Sequence, residues 1–282
     1  MNNSNLDPQN LLVPILRIKK DNYLCFIDFI EESYGIIERL FIQIKRRSST
    51  LIAGTLQPLL WFFLFGALFE NFPFDIPNNN TTYSQFLSAG IIVFTAFSGA
   101  LNAGLSIIFD REFGFLNRLL VYPLRSRLSI LLASIFFIVL ISLAQAFFLL
   151  LVTSFKNNNY HYFEHYLDIS LIIFLITIIV SLVSINLAFV VPGHIEFLAF
   201  ILITNLPILF SSTALAPINL MPRWLKIIAL LNPLTYAIEF FRSIDINRTT
   251  VYIDSSKSLA ILFSMDIIAV ILTYIFFQKK YK

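Results

Sequence analysis

Charge, glycine, cysteine and histidine are all scarce in this chain, and each scarcity removes a class of function. Only 13% of the 282 residues are Asp, Glu, Lys or Arg, far fewer than a soluble domain needs to cover its surface. The net charge of +3 is too small to hold a nucleic-acid backbone, so no nucleic acid is expected as a partner. Cys25 is the single cysteine, which excludes an internal disulfide and any multi-cysteine metal centre. The three histidines, His161, His165 and His194, are scattered. His161 and His165 are four apart but lie in a tyrosine-rich stretch, and no metal site is expected there. None of the eight glycines precedes a lysine, so the phosphate-cradling loop that would bind ATP is missing. H-E-x-x-H, G-x-S-x-G and C-x-x-C are missing as well. No catalytic residue, no cofactor and no enzymatic activity are therefore expected of the chain itself.

What the chain has in abundance is hydrocarbon: 57% of its residues are hydrophobic and 31 are phenylalanine. Crossing about 30 Å of lipid takes about 20 helical residues. Uncharged apolar runs of that order cover 50–69, 86–109, 128–155, 169–191 and 197–216, and a sixth, 258–277, carries only Asp266. Strand alternation is lacking, so helices must satisfy the backbone in lipid. The expectation is an all-α integral membrane protein with six transmembrane helices. Residues 1–20 read as a polar tail, 21–47 as an amphipathic interfacial helix and 48–282 as the six-helix transmembrane domain.

Six crossings put both termini on one side. With the N-terminus inside, fourteen of the twenty Lys and Arg fall inside and six outside, as the positive-inside rule requires. Both termini are thus assigned to the cytosolic or stromal side. The opening "MNNSNLDPQNLLVPILRIKK" lacks the basic start and unbroken apolar core of a signal peptide and the Ser/Arg bias of a transit peptide. Insertion by the compartment's own machinery is expected. The Phe-rich, Gly-poor composition hints at AT-rich coding, as in an organelle or an AT-rich bacterium.

Three segments have a shape of their own. In 21–47, Ile27, Ile30, Tyr34, Ile37, Phe41 and Ile44 recur at spacings of three and four, while Asp28, Glu31, Glu32, Glu38, Arg39 and Lys45 lie off that stripe. This helix should lie in the membrane interface, either as an anchor alone or touching a peripheral subunit as well. The strip "FDREFGFLNRLLVYPLRSRL" places Asp110, Arg111, Glu112, Arg118, Arg125 and Arg127 between two spans. Six charges at mid-membrane would cost about 15–20 kcal/mol on the insertion scale, so the strip must leave the bilayer. Residues 111–122 can form a short helix with Phe113, Leu116, Leu119 and Leu120 on one face, and Pro123 ends it. A plain charged turn would be polar throughout; an apolar face with charged ends suits docking. Between the fifth and sixth spans, 217–257 is too apolar for a free loop and too charged to cross. Pro217, Pro222 and Pro233 break it into short helices, expected to dip into the outer leaflet. Asp266, near the middle of the last span, is expected to face the bundle and bond a neighbouring polar side chain; a role in function is the alternative. Ala96, Ala100 and Gly104 share a face of the second span and should let helices approach closely, inside the bundle or between subunits.

Taken together, these segments resemble the membrane subunits of ABC-2 type transporters, and among them the plastid-encoded permeases of algae. Three stretches carry the resemblance. "RRSSTLIAGTLQPLLWFFLFGALF" is similar to the family's first span. Asp110, Arg111, Glu112, Gly114, Arg118, Leu119, Leu120, Pro123 and Leu124 match its charged strip, with Asn117 where Glu or Gln is frequent. Pro217, Pro222, Trp224, Leu225, Asn232, Pro233, Thr235, Tyr236 and Arg242 match its outer segment, with Met221 in place of Leu.

The resemblance implies several things that spacing does not. Asp110, Arg111, Glu112, Gly114, Arg118 and Pro123 would form the coupling segment docked on a separate ABC ATPase subunit. Pro222, Trp224, Asn232, Pro233 and Tyr236 would shape the outer re-entrant segment. The working unit would be a homodimer of the permease with two ATPase subunits, in contact with membrane lipids. It would export a lipid-like or amphipathic substrate across a plastid (chloroplast) membrane, or a bacterial inner membrane. The competing readings are an ion-coupled or passive carrier, which should show internal repeats or paired intramembrane charges, and an assembly factor without transport.

Overall fold

The computed structural model describes residues 22–46, 48–70, 82–115, 128–157, 164–244 and 253–281. The described residues are helical or irregular, with no strand among them. In chain order the helices are α1 (Asn22–Arg46), α2 (Ser48–Leu68), α3 (Tyr83–Leu101), α4 (Ala103–Glu112), α5 (Leu128–Asn157), α6 (Tyr166–Val190), α7 (His194–Phe210), α8 (Arg223–Leu231), α9 (Pro233–Ser243) and α10 (Ser255–Tyr281). The polar tail over 1–20 lies outside the described residues.

Among the described residues, five stretches are long and apolar enough to cross a membrane: Leu51–Leu68, Tyr83–Glu112, Ile130–Asn157, Tyr166–Val190 and Ser255–Phe276. A sixth counts only if α8 and α9, which meet at an 84° bend, are taken as one broken span. The fifth expected crossing, 197–216, is shorter than its hydropathy suggested. α7 has 17 residues and stops at Phe210, which at 1.5 Å per residue is about 25 Å. The apolar run continues, but as turns rather than helix.

α3–α4 and α6 form the centre, with 72% and 67% of their apolar windows buried, against 17% for α2 and 22% for α10. Their buried faces meet α5 and α9 in a continuous core that includes Phe62, Phe94, Leu149, Ile172 and Phe241. α2 and α10 present long apolar faces outward, as helices bathed in lipid do.

Local chemistry sets the boundaries. α3 begins at a capping box: the Thr82 hydroxyl accepts from the Gln85 N–H, and the Gln85 side chain accepts from the Thr82 N–H. The helix therefore starts before the apolar run does. The chain turns at Asn102, between α3 and α4. There the Ser184 hydroxyl of α6 donates to the Leu101 carbonyl (2.5 Å) and accepts from the Gly104 N–H (2.9 Å). One side chain thus satisfies both backbone groups that the break orphans.

The small-residue face of α3–α4 is buried inside the chain, Ala96 and Ala100 completely. Gly104 lies against α6, and a Cβ there would sit 2.4 Å from the Ser184 carbonyl oxygen and 2.6 Å from Phe197 Cζ. Gly104→Ala is expected to cost about 1–3 kcal/mol, the usual range for overpacking. Denaturant unfolding of the purified chain measures it; unchanged stability would mean that the helices do not cross this closely.

α1 packs on α5 through Ile36 and Leu40, against Ile130, Ala133 and Phe137. Of the stripe read from spacing, Ile37 and Ile44 are half-buried against this cluster, and the Phe41 ring meets Phe137 edge-on with 5.0 Å between centroids. Ile30 and Tyr34, of the same stripe, are exposed. The helix has two apolar edges, one turned to the bundle and the other outward.

Candidate functional site: the charged strip, its anchor turn and the outer bent pair

At the strip, α4 ends where Gly114 adopts φ +70°, a conformation that glycine takes without the strain a Cβ adds. Its N–H bonds the Arg111 carbonyl at 3.2 Å. The single helix expected over 111–122 is thus interrupted at Gly114. Arg118 and Pro123 lie outside the described residues.

The charges before the turn look inward. The Arg111 guanidinium donates to the carbonyls of Ala188 (3.0 Å), Val191 (2.6 Å) and Pro192 (2.7 Å). These belong to the end of α6 and the turn after it, where carbonyls lack helical partners and the helix dipole is negative. Glu112 does the converse at the next helix. Its carboxylate accepts from the His194 N–H (2.8 Å) and lies 2.6 Å from His194 Nδ1, at the positive start of α7. Two adjacent residues of opposite charge thereby cap two consecutive helices and clamp the 191–194 turn between them. Phe109 packs its ring on His194, with 5.4 Å between centroids.

Asp110 points to a third element, forming an ion pair with Arg39 of α1. The same guanidinium stacks 3.7 Å above the Phe115 ring. Asp110, Arg111 and Glu112 thus fasten α4 to α1, α6 and α7. Phe113, next in line, stacks on the Phe109 ring with 6.0 Å between centroids and is 73% exposed.

At the other end, Asn232 makes the bend between α8 and α9. Its Oδ1 accepts from the Leu234 N–H (3.0 Å), and its Nδ2 donates to the Ile208 carbonyl of α7 (2.9 Å). Pro233 occupies the first turn of α9, where a missing N–H costs nothing. The Tyr236 hydroxyl donates back to the Leu230 carbonyl (2.6 Å), holding the pair folded. Pro222 precedes α8, and Trp224 is exposed on it.

Beneath the bend lies a pair that motif reading did not bring out. Glu239 and Arg242, one turn apart on α9, are 0% and 3% exposed, with Arg242 Nη1 3.2 Å from Glu239 Oε1. Arg242 Nη2 donates to the carbonyls of Thr213 (2.7 Å) and Phe86 (3.2 Å), and the guanidinium covers the Phe86 ring at 3.6 Å. One arginine thus ties α9, α3 and the turns after α7 together. The signal was in the sequence: an acid and a base three apart inside an apolar segment.

Asp266 is buried, as expected, but neither of its oxygens has a hydrogen-bond partner among the described residues. The expected bond to a neighbouring polar side chain is not formed. An unpaired buried carboxylate costs stability. Asp266→Asn is therefore expected to unfold at the same or a higher denaturant concentration, with transport changed less than about twofold, since distant packing is kept. A large loss of transport with normal membrane insertion would assign the residue to function instead. No cluster of three or more His, Cys, Asp or Glu that could hold a metal occurs among the described residues.

An all-helical membrane protein, with a charged strip after its second span and a bent pair before its last, matches one family. The pattern of the ABC-2 type transporter family fits residues 32–246, so the chain belongs to the ABC-2 type transporters. The match runs from within α1, at residue 32, past the end of α9 and leaves α10 beyond it. The relatives agree. Three algal proteins, each named "Putative transport permease ycf38", match over most of their length. The one from Porphyra purpurea is 51% identical over 236 residues, covering 84% of this chain and 81% of that protein. Those from Cyanophora paradoxa and Pyropia yezoensis are 48% identical over 263 residues and 47% over 277, covering at least 90% of both chains in each comparison. The chain is thus the membrane component of a transporter, of the class that normally works with an ABC ATPase.

Proposed function

We propose that this permease exports a lipid-like or amphipathic substrate across a plastid membrane, driven by ATP that a separate ABC ATPase hydrolyses. Two copies of the chain and two ATPase subunits make the working unit, with both termini on the ATPase side. The observation that carries the reading is the clamp at the strip. Asp110, Arg111 and Glu112 connect the strip to α1, α6 and α7 by charge-assisted bonds, while Phe113 is exposed. A partner pressing on Phe113 and the residues after Gly114 therefore moves four helices together. Interfaces and packed cores switch between discrete arrangements, which makes such a push effective.

The coupling role of Asp110, Arg111, Glu112 and Gly114 is thus one of transmission, with the contact surface beginning at Phe113. Arg118 and Pro123 complete that surface in this reading. The outer bent pair, with Pro222, Trp224, Asn232, Pro233 and Tyr236, closes the exit on the far side. The apolar, aromatic-rich spans suit a lipid-like substrate, and export is the commoner direction in this family. Wide apolar faces on α2 and α10 tolerate hydrocarbon and leave room for a second copy. An ion-coupled carrier is disfavoured: the buried pair found among the described residues, Glu239–Arg242, is satisfied internally.

Co-purification tests this directly. The tagged chain is expected to capture an ATPase, and Phe113→Glu is expected to reduce capture by roughly tenfold, about 1.4 kcal/mol of a docking contact. A chain that never captures an ATPase, or captures it equally well with position 113 charged, would sink the proposal.

A further inference from the structure

The bundle holds one feature that the proposed transport path does not use. A cavity of about 190 Å³ opens between α1, α2, α3–α4 and α5, on the side that carries the strip. Its walls are apolar for the most part, from Leu51, Phe137 and Ile141, but three amide side chains, Gln43, Asn102 and Gln145, also line it. Among the described residues, no Lys, Arg, Asp or Glu lines it.

Asn102 Nδ2 donates to the Ser98 carbonyl (2.9 Å), but two polar groups at or beside the hollow, Gln43 and Ser142, are short of partners. Gln145 is 8% exposed, wedged where Gly54 and Gly99 leave it room; a Cβ on either glycine would lie 3.1 Å from its amide. Ser142, one turn earlier on α5, is fully buried, and neither its hydroxyl nor Gln43 Oε1 has a hydrogen-bond partner among the described residues. Buried polar groups in a membrane protein seldom stay unpaired, because lipid tails cannot replace water. Gln43 on the wall of an apolar hollow, with Ser142 beside it and the amides of Asn102 and Gln145 around it, fits a ligand that brings both hydrocarbon and hydrogen bonds.

We propose that this cavity, formed by Gln43, Gly54, Asn102, Ile141 and Gln145, binds the glycerol-ester end of a neutral acylglycerol. The chemistry selects that class. Amides donate to ester carbonyls and accept from hydroxyls. An ionised headgroup would find no counter-charge among the described residues of the cavity wall. The size agrees: about 190 Å³ is below the roughly 300–1,000 Å³ of pockets that enclose a whole ligand. It therefore holds one end of an amphiphile, whose tails leave between helices into the bilayer. α1, with its second apolar edge exposed, lies at the boundary where such a molecule resides. The inference concerns binding and stands whether or not the bound lipid is the one transported.

The test uses the full chain in lipid nanodiscs and a diacylglycerol probe with a diazirine on one acyl chain near its ester. Labelled peptides are mapped by mass spectrometry. Labelling is expected to concentrate on α1 and α5 around Gln43 and Ile141–Gln145. Ile141→Trp, which fills the cavity, should reduce it at least tenfold, and Gln145→Leu, which keeps the volume and removes the amide, at least threefold. Unlabelled diacylglycerol should compete, while the same mole fraction of phosphatidylglycerol should not. The proposal is overturned if label spreads over α2 and α10 as over α5, or if both lipids compete equally. It also fails if Gln145→Leu, with wild-type helicity and a monodisperse elution profile, labels like wild type. Should Ile141→Trp misfold, Gln145→Leu and the competition decide alone.

Discussion

Arg242→Ala is expected to destabilise the chain by about 3–5 kcal/mol, the usual result of removing one member of a buried ion pair. The substitution leaves Glu239, 0% exposed, without its 3.2 Å counter-charge. It also strips the carbonyls of Thr213 and Phe86 of a charged donor and uncovers the Phe86 ring. The neighbourhood cannot relax around the loss. Gly90 of α3 sits so close to the same turn that a Cβ there would lie 2.6 Å from the Ala214 carbonyl oxygen. Arg242→Lys keeps the charge but not the planar fork that reaches several carbonyls at once, so it should fall between alanine and wild type. Replacing both partners, Glu239→Leu with Arg242→Met, should recover much of the loss, because no unpaired charge is then buried. Denaturant unfolding in detergent measures all four proteins. Wild-type stability in Arg242→Ala would mean that the pair is not buried in the folded chain.

Arg111→Ala is the second large effect, and it separates stability from coupling. The side chain makes three hydrogen bonds to carbonyls around the end of α6. Two of these sites are only part-buried and one is exposed, so water replaces part of what is lost. The stability cost should be about 2 kcal/mol, the upper range for a cation at a helix C-terminus. The functional cost should be larger in proportion. Without Arg111 the turn at 191–194 is held to α4 by Glu112 and the Phe109–His194 ring contact, and motion at the strip reaches the end of α6 less directly. Coupling free energies of about 1–3 kcal/mol correspond to roughly 5–150-fold effects. ATP-driven transport is thus expected to fall at least tenfold while ATPase capture and basal hydrolysis persist. Glu112→Gln, which still accepts the His194 N–H, should cost less on both scales. Equal loss of capture and transport in Arg111→Ala would instead make Arg111 part of the docking surface.

Much of this molecule was legible in its sequence. Length and apolarity fixed α2, α3–α4, α5, α6 and α10 to within a few residues, because lipid leaves a buried backbone no choice but helix. The bend at Asn232–Pro233 followed from proline, and the amphipathic character of α1 from its periodicity. What spacing could not supply was pairing between distant residues. Arg39 and Asp110, Arg111 and the end of α6, and Glu112 and His194 are each about 70 to 80 positions apart. Read singly, the strip's charges look like a solvated docking surface; in the fold, three of them are fasteners. In α1, periodicity found the apolar face but not which of its members meet protein: Ile37, Phe41 and Ile44 reach α5 while Ile30 and Tyr34 are exposed. α7 was overestimated because hydropathy runs on after a helix has ended.

The most direct measurement places a single reactive group at the tip of the strip. With Cys25 replaced by serine, Phe113→Cys carries the only thiol of the chain. In membrane vesicles holding the permease and its ATPase, a short cross-linker at position 113 is expected to join the two, with a yield that changes when ATP is added. A thiol that is accessible only from the face of the membrane opposite the ATPase, or one that never cross-links to it, would contradict the assignment of this strip as the point where the motor pushes.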